Sequence, residues 1–139
     1  MLGGIAIPHE CGLDGHSDAD VVCHAVMDAL LGAIAAGDIG QHFPNTEARW
    51  KDANSLELLK HVGHVLEKNG WSVVNVDVAV VAEAPRLAPH IPAMRERMAT
   101  ALGLTQAAVS VKATTSEGMG ALGRGEGIGA MAVASVKQS

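Results

Sequence analysis

Residues 17–37 constrain the fold more than any other part of the chain. They read Ser17-Asp-Ala-Asp20-Val-Val-Cys-His24-Ala-Val-Met-Asp28-Ala-Leu-Leu-Gly, followed by Ala33-Ile-Ala-Ala-Gly37. Ser17 with Asp20 three residues later is an N-cap signature ahead of an apolar run. It predicts a helix from about Asp18 to Gly37, with Gly37 as its C-terminal stop. Nearly every position is Ala, Val, Leu, Ile, Met or Gly, so most of the helix circumference must be buried under other elements. Asp20, His24 and Asp28 recur at i, i+4 and i+8 and make one polar stripe on this helix. The stripe is either a solvated edge or one wall of a site.

The rest of the chain supplies the layer that such a helix needs. Leu2–Ile7 fits a short strand ending at Pro8. Residues 38–54 form a long polar connection, and connections of that length are usually functional or disordered. A second helix fits Ser55–Lys68, capped by Ser55, with Leu59, Val62 and Leu66 on its buried face and Gly70 after it. Residues 71–83 alternate, with Val74, Val76, Val78 and Val80 on one face and Asn75, Asp77 and Ala79 on the other, which predicts a strand. Pro92 opens a third helix ending near Gly103. Val109–Thr115 and Ile128–Val136 complete the pattern as strands. The order βααβαββ predicts one domain over residues 1–139, an α/β (α+β) two-layer sandwich with one mixed sheet and helices packed on one face.

Composition narrows the function classes. Hydrophobic residues make up 48% of the 139, too many for a disordered chain. No apolar run approaches the roughly 20 residues of a membrane span. Nothing at the start resembles a secretory signal, and Cys11 and Cys23 form no disulfide framework, so a cytoplasmic location is expected. A net charge of -5 argues against a nucleic-acid partner, because such binding rests on phosphate neutralisation by Lys and Arg. One Phe, two Trp and no Tyr leave little to stack on bases. The Ala-rich interior is a hint of oligomerisation.

Some motifs carry no chemistry. Gly125-Glu-Gly127-Ile-Gly-Ala130 matches a dinucleotide fingerprint, but the helix and strand that motif requires do not fit in the nine residues after it. His61 and His64 fit a solvated helix face better than a metal pair. His9 and Cys11 lack further spaced ligands. Two segments read better. Ala82-Glu-Ala-Pro85-Arg86-Leu-Ala-Pro89 leaves a strand end through two prolines, a place where ligands often bind. Val111-Lys-Ala-Thr-Thr-Ser-Glu117 ends a strand and enters the glycine-rich run Gly118–Gly127. Hydroxyls, backbone N–H groups and a Lys or Arg suit a phosphate, and a carboxylate among them suits a divalent cation bridging phosphate oxygens.

The order and spacing of five segments resemble one family. They are Gly15-His-Ser-Asp-Ala-Asp, Cys23-His-Ala-Val-Met-Asp-Ala-Leu-Leu-Gly, Gly37-Asp-Ile-Gly-Gln-His-Phe-Pro, Ala84-Pro-Arg-Leu-Ala-Pro-His-Ile, and Val111-Lys-Ala-Thr-Thr-Ser-Glu with Gly123-Arg-Gly-Glu-Gly. From residue 1 to about 136 the chain resembles the 2-C-methyl-D-erythritol 2,4-cyclodiphosphate synthases of the non-mevalonate isoprenoid pathway. The resemblance implies a homotrimer with sites between subunits, and conversion of 4-diphosphocytidyl-2-C-methyl-D-erythritol 2-phosphate to the cyclic diphosphate with release of CMP.

By the same resemblance, His16 and Thr115 are catalytic, stabilising the transition state, and His16 and Ser17 contact substrate. Asp38, Ile39, Gly40, Phe43, Pro44, Asn45, Thr46 and Glu47 hold the erythritol phosphate end. Ala82, Glu83, Ala84, Pro85, Arg86, Leu87 and Ala88 form the cytidine pocket, while Thr114, Thr115, Ser116 and Glu117 cradle the diphosphate. His24 is a zinc ligand, and Glu117 binds a second metal, magnesium or manganese. Ala121 and Arg124 line a central trimer cavity able to hold an isoprenoid diphosphate. Helical spacing adds that Asp20 or Asp28 can orient the His24 imidazole through its second nitrogen.

The chain departs from the family pattern at three places. The family's Asp-x-His strand, which completes the zinc site, precedes the Gly-Gly turn, whereas this sequence begins Met1-Leu-Gly-Gly. Asn45 stands where Asp is common, and Ala121 where Phe is common. Lacking that strand, this form is expected to bind zinc poorly and turn over slowly or not at all. The rival expectation is a catalytically impaired trimeric binding protein for cytidine nucleotides or isoprenoid diphosphates.

Overall fold

A computed structural model describes residues 1–8, 20–44 and 53–139. Helix α1 (Val21–Ala33) buries Val22, Cys23, Val26, Met27, Leu30 and Leu31, positions whose i, i+4 and i+8 spacing gives one wide apolar face. Its N-cap is Asp20 rather than Ser17, and Ser17 lies outside the described residues. The helix also stops short of Gly37. Ala35 takes the left-handed conformation at φ 54°, its N–H reaching Gly32 O at 3.1 Å while Ala36 N reaches Leu31 O at 2.9 Å. These two bonds close the last turn in the manner usually reserved for glycine. Gly37, at φ +90°, instead turns the chain into the short helix α2 (Ile39–His42), which Asp38 caps.

Asp20 does more than cap. Its Oδ1 accepts from Cys23 N (2.9 Å) and Gly3 N (2.8 Å), and its Oδ2 from Gly4 N (2.7 Å) and Ser55 Oγ (3.0 Å). The residue is fully buried, so one carboxylate joins the N-terminal turn, α1 and the start of helix α3 (Ser55–Lys68). Ser55 is therefore the first helical residue of α3 and not its cap; Asn54 caps, accepting from Leu56 N at 2.8 Å. The expected Leu2–Ile7 strand is replaced by a single bridge between Leu2 and Ile5. Gly3 and Gly4, both at positive φ, reverse the chain between them. A Cβ on Gly3 would lie 2.8 Å from the Met94 Cβ, so the turn also packs too closely for a side chain.

Strand β1 (Trp71–Val81) is central. It pairs in parallel with β2 (Val109–Thr114) and antiparallel with β3 (Gly129–Gln138), giving the order β2-β1-β3. Helix α4 (Ile91–Leu102) connects β1 to β2 and ends at Gly103 in the left-handed region. Val76, Val78 and Val80 face the helices and are buried, as alternation predicts. Val74 is not among them and is 46% exposed. Val73 pairs with Val136 and Asn75 with Ser135, so Val74 is an extra residue in the strand. Such a bulge shifts the alternation by one. Between them α1, α3 and α4 cover one face of the sheet. The other face presents Met131 and Val133, 79% and 72% exposed, beside an ion pair of Lys112 Nζ with Asp77 Oδ2 at 2.7 Å. The Lys112 ammonium holds the Asp77 carboxyl below its ordinary value. Among the described residues no helix is long and apolar enough to cross a membrane.

Candidate functional site

The parallel pair β1 and β2 sets the site. Both strands end at the same level, Val81 opposite Thr114, and Ala82 N continues the ladder to Thr114 O at 3.0 Å. The two chains then separate, which leaves a crevice at the carboxyl ends of parallel strands, the usual ligand position in such sheets. One chain runs through residues 82–88, with a cis Ala84–Pro85 peptide, into a 3-10 turn and then α4. The other enters a tight turn at residues 115–119. The resulting cavity of about 400 Å³ is lined by Ala82, Glu83, Pro85, Arg86, Leu87, Ala88, Ala113, Thr114 and Thr115. Two segments that the sequence treats as separate signals thus form one pocket, with Ala82 and Leu87 buried beneath it.

The hydroxyl-rich turn is built differently from a loop of free phosphate donors. Glu117 N donates to Thr115 Oγ1 (3.1 Å), Gly118 N to Glu83 Oε1 (2.5 Å) and Met119 N to Ser116 O (3.1 Å). In the short helix α5 (Gly120–Gly123) and just after it, the N–H groups of Gly123, Arg124, Gly125 and Glu126 likewise bond within the loop. Ser116 donates its own hydroxyl to Met119 O at 2.9 Å, so that proton is not offered to a ligand. Lys112 turns to Asp77 on the open face of the sheet. Thr115 is the exception. Its oxygen accepts from Glu117 N, which leaves its O–H to donate to a phosphate oxygen. Glu117 itself is exposed, with φ 55°. Arg124 Nη2 pairs with Glu126 Oε2 at 2.9 Å, and Ala121 is exposed on α5.

A second group of predicted residues sits at the far end of α1. Asp38 caps α2 through Gln41 N at 3.0 Å, and Ile39 N donates to Asp28 Oδ1 at 2.9 Å. Asp28 therefore ties the Asp38–Gly40 turn to the helix that carries His24. Phe43 is buried, edge-on to the His61 ring at 5.5 Å, and His42 Nε2 lies 2.8 Å from Ala36 O. His24 is half-buried on α1, one turn beyond Asp20. Asp20 is not its orienting partner, because both of its oxygens serve backbone and Ser55 donors.

His16, Ser17, Asn45, Thr46 and Glu47 lie outside the described residues. Among the described residues no group of three or more His, Cys, Asp or Glu side chains could hold a metal ion. A zinc site with three protein ligands is therefore not assembled from them. Glu117 beside Thr114 and Thr115 is a different case. One carboxylate with substrate phosphate oxygens is a donor set that suits magnesium or manganese. Sequence reasoning missed the tether from Asp28 to Ile39, the Glu83–Gly118 bond and Ala113 in the pocket lining. The first two link residues 11 and 35 positions apart, contacts that no local pattern encodes.

The YgbB family model matches residues 1–137. The 2-C-methyl-D-erythritol 2,4-cyclodiphosphate synthase of Syntrophomonas wolfei is 58% identical over 139 residues, covering 100% of this chain and 88% of its own. The synthase of Desulfosudis oleivorans is 59% identical over 134 residues, 96% of this chain and 80% of its own. A solved 2C-methyl-D-erythritol-2,4-cyclodiphosphate synthase in its CDP-bound form superposes with a TM-score of 0.89 at 32% identity, covering 99% of this chain and 89% of that one. The bifunctional IspDF of Campylobacter jejuni superposes with a TM-score of 0.95 at 39% identity; the match covers all of this chain and 38% of that larger one.

Proposed function

Because the chain belongs to the YgbB family of isoprenoid-pathway cyclodiphosphate synthases, we propose that it cyclises 4-diphosphocytidyl-2-C-methyl-D-erythritol 2-phosphate and releases CMP. In this step an oxygen of the 2-phosphate bonds to the β-phosphorus. The bond from that phosphorus to the bridging oxygen breaks, and CMP leaves with the oxygen and its charge. The nucleophile is already an anion, so the protein's task is to align it and to offset the charge gathered around two phosphorus centres.

The observation that carries this reading is the pocket in which the Ala82–Ala88 loop meets Thr114 and Thr115. The loop and Thr114 take the cytidine end. The Thr115 hydroxyl is oriented by Glu117 N to donate towards a phosphate oxygen, where charge develops during transfer. Asp38, Ile39 and Gly40, held on α1 by Asp28, take the erythritol phosphate end. Glu117 would hold a magnesium or manganese ion, which supplies charge neutralisation at the diphosphate. His24 is proposed as a zinc ligand. The binding-protein alternative has no support among relatives that are named as synthases.

The active assembly is proposed to be a homotrimer with sites shared between subunits. Support comes from the open sheet face, where Met131 and Val133 stand exposed in the single chain. Exposed apolar surface on a sheet face is characteristic of an interface. In that ring Ala121 and Arg124 would line the central cavity proposed for an isoprenoid diphosphate. Arg124 is already paired with Glu126, and the small Ala121 side chain would widen that cavity.

Calorimetry tests the pocket directly. CMP and CDP are expected to bind at least about tenfold more tightly than AMP and ADP, one to two hydrogen bonds' worth of discrimination. Equal affinity for cytidine and adenosine nucleotides would remove the cytidine assignment.

A further inference from the structure

We propose that Glu83 is a positioning residue that clasps the diphosphate turn to the nucleotide loop and so sets where Glu117 stands relative to the cytidine pocket. The proposal rests on the synthase reading above. The family resemblance leads one to expect Glu83 in the cytidine pocket, yet its Oε1 accepts from Gly118 N at 2.5 Å. A carboxylate accepting a backbone N–H is a charge-assisted bond, stronger than a neutral one. It joins the two segments that line the same pocket, 35 positions apart in sequence.

The turn needs such a clasp. Glu117 is a non-glycine residue at φ 55°, a conformation that L side chains seldom adopt and that persists only where its surroundings enforce it. The other bonds around it are local to residues 115–119: Glu117 N to Thr115 Oγ1, Met119 N to Ser116 O, and Ser116 Oγ to Met119 O. They shape the turn without fixing its place against β1. Glu83, two residues past the end of β1, supplies that fixed point. Gly118 also packs against Gly123, where a Cβ would overlap the Gly118 carbonyl carbon. Gly118 is therefore held by the Glu83 carboxylate and packed against a bare α-carbon, and Glu117 precedes it directly.

The chemical consequence is a measured separation. A nucleoside diphosphate bound there would reach from the base pocket to the turn, where Thr115 would meet its β-phosphate and Glu117 would hold its cation. If the turn drifts, the base can still bind, but the β-phosphate and its cation lose their partners. Engaging Glu83 with Gly118 also directs one carboxylate oxygen away from the anionic ligand.

The test compares Glu83→Ala with Glu83→Gln, which retains an acceptor oxygen. CMP and CDP affinities are measured by calorimetry with manganese present, and exchange of the Gly118 amide is followed by NMR. In Glu83→Ala, CDP affinity should fall about tenfold, the size of one hydrogen bond to a charged group. CMP affinity should fall less than about threefold, and Gly118 exchange should accelerate. Glu83→Gln should keep CDP affinity within about threefold of the parent and keep Gly118 protected. Equal losses for CMP and CDP in Glu83→Ala would overturn the proposal, making Glu83 only a pocket wall. So would a Glu83→Gln variant as impaired as Glu83→Ala, which would assign the role to charge on the ligand. If the parent protein binds no cytidine nucleotide at all, the synthase reading fails, and unchanged Gly118 exchange in Glu83→Ala separately overturns the clasp.

Discussion

Asp20→Ala should lower the free energy of unfolding by about 3–5 kcal/mol, a large share of what a small domain has. The carboxylate lies fully buried and accepts four hydrogen bonds, from Gly3 N, Gly4 N, Cys23 N and Ser55 Oγ. Truncation leaves the Gly3 and Cys23 N–H groups without acceptors in a buried place, at about 1–3 kcal/mol for each such group. The Cys23 bond is also the N-cap of α1, so the cap is lost with it. Ser55→Ala, which deletes a single donor and leaves the carboxylate satisfied by the other three, should cost only about 1 kcal/mol. Urea unfolding of the two variants gives the comparison. A loss below about 1 kcal/mol in Asp20→Ala would show that the four bonds do not act as one junction.

Val133→Glu should convert the proposed trimer to monomers at micromolar concentration. Val133 lies opposite Asp77 on the open face of the sheet and is 72% exposed in the single chain. The folded monomer therefore tolerates a carboxylate there. In a closed ring the same position is repeated on every subunit by symmetry, so a single substitution introduces a carboxylate at each interface. Removing a carboxylate from water without a partner costs several kcal/mol, and Asp77 beside it adds repulsion rather than a partner. Sedimentation equilibrium should show the parent at three times its 14.3 kDa chain mass and the variant at that mass, with unchanged circular dichroism. A parent that sediments as a monomer would remove both the ring and any site shared between subunits.

The elements of this fold were legible where periodicity was strong. The bounds of α3 follow from Ser55 through Lys68 and the following glycine, and the helix from Ile91 is closed by Gly103 where expected. Errors arose where a residue took a role that its type rarely fills. Ala35 adopted the left-handed geometry assigned to Gly37 and shortened α1. Asp20 took the cap assigned to Ser17 because a buried carboxylate reached three other elements at once. Val74 left its predicted face because a bulge is invisible to strict alternation.

The site shows the same division. The sequence marks Ala82–Ala88 and Thr114–Thr115 as two separate signals; that they form one pocket follows from the parallel pairing of β1 with β2, a long-range contact that alternation does not encode. That Lys112 turns to Asp77 and Ser116 to Met119 O does not follow from the sequence. A lysine two residues before a threonine pair looks like a phosphate ligand until the pleat is drawn. Lys112 then points to the open face, where Asp77 lies on the neighbouring strand.

The most direct measurement is phosphorus NMR of the purified protein with 4-diphosphocytidyl-2-C-methyl-D-erythritol 2-phosphate, magnesium and zinc. The account predicts that the substrate resonances are replaced by those of a cyclic diphosphate and CMP in equal amounts, with no inorganic phosphate. Unchanged substrate, or hydrolysis to open-chain phosphates, would contradict it.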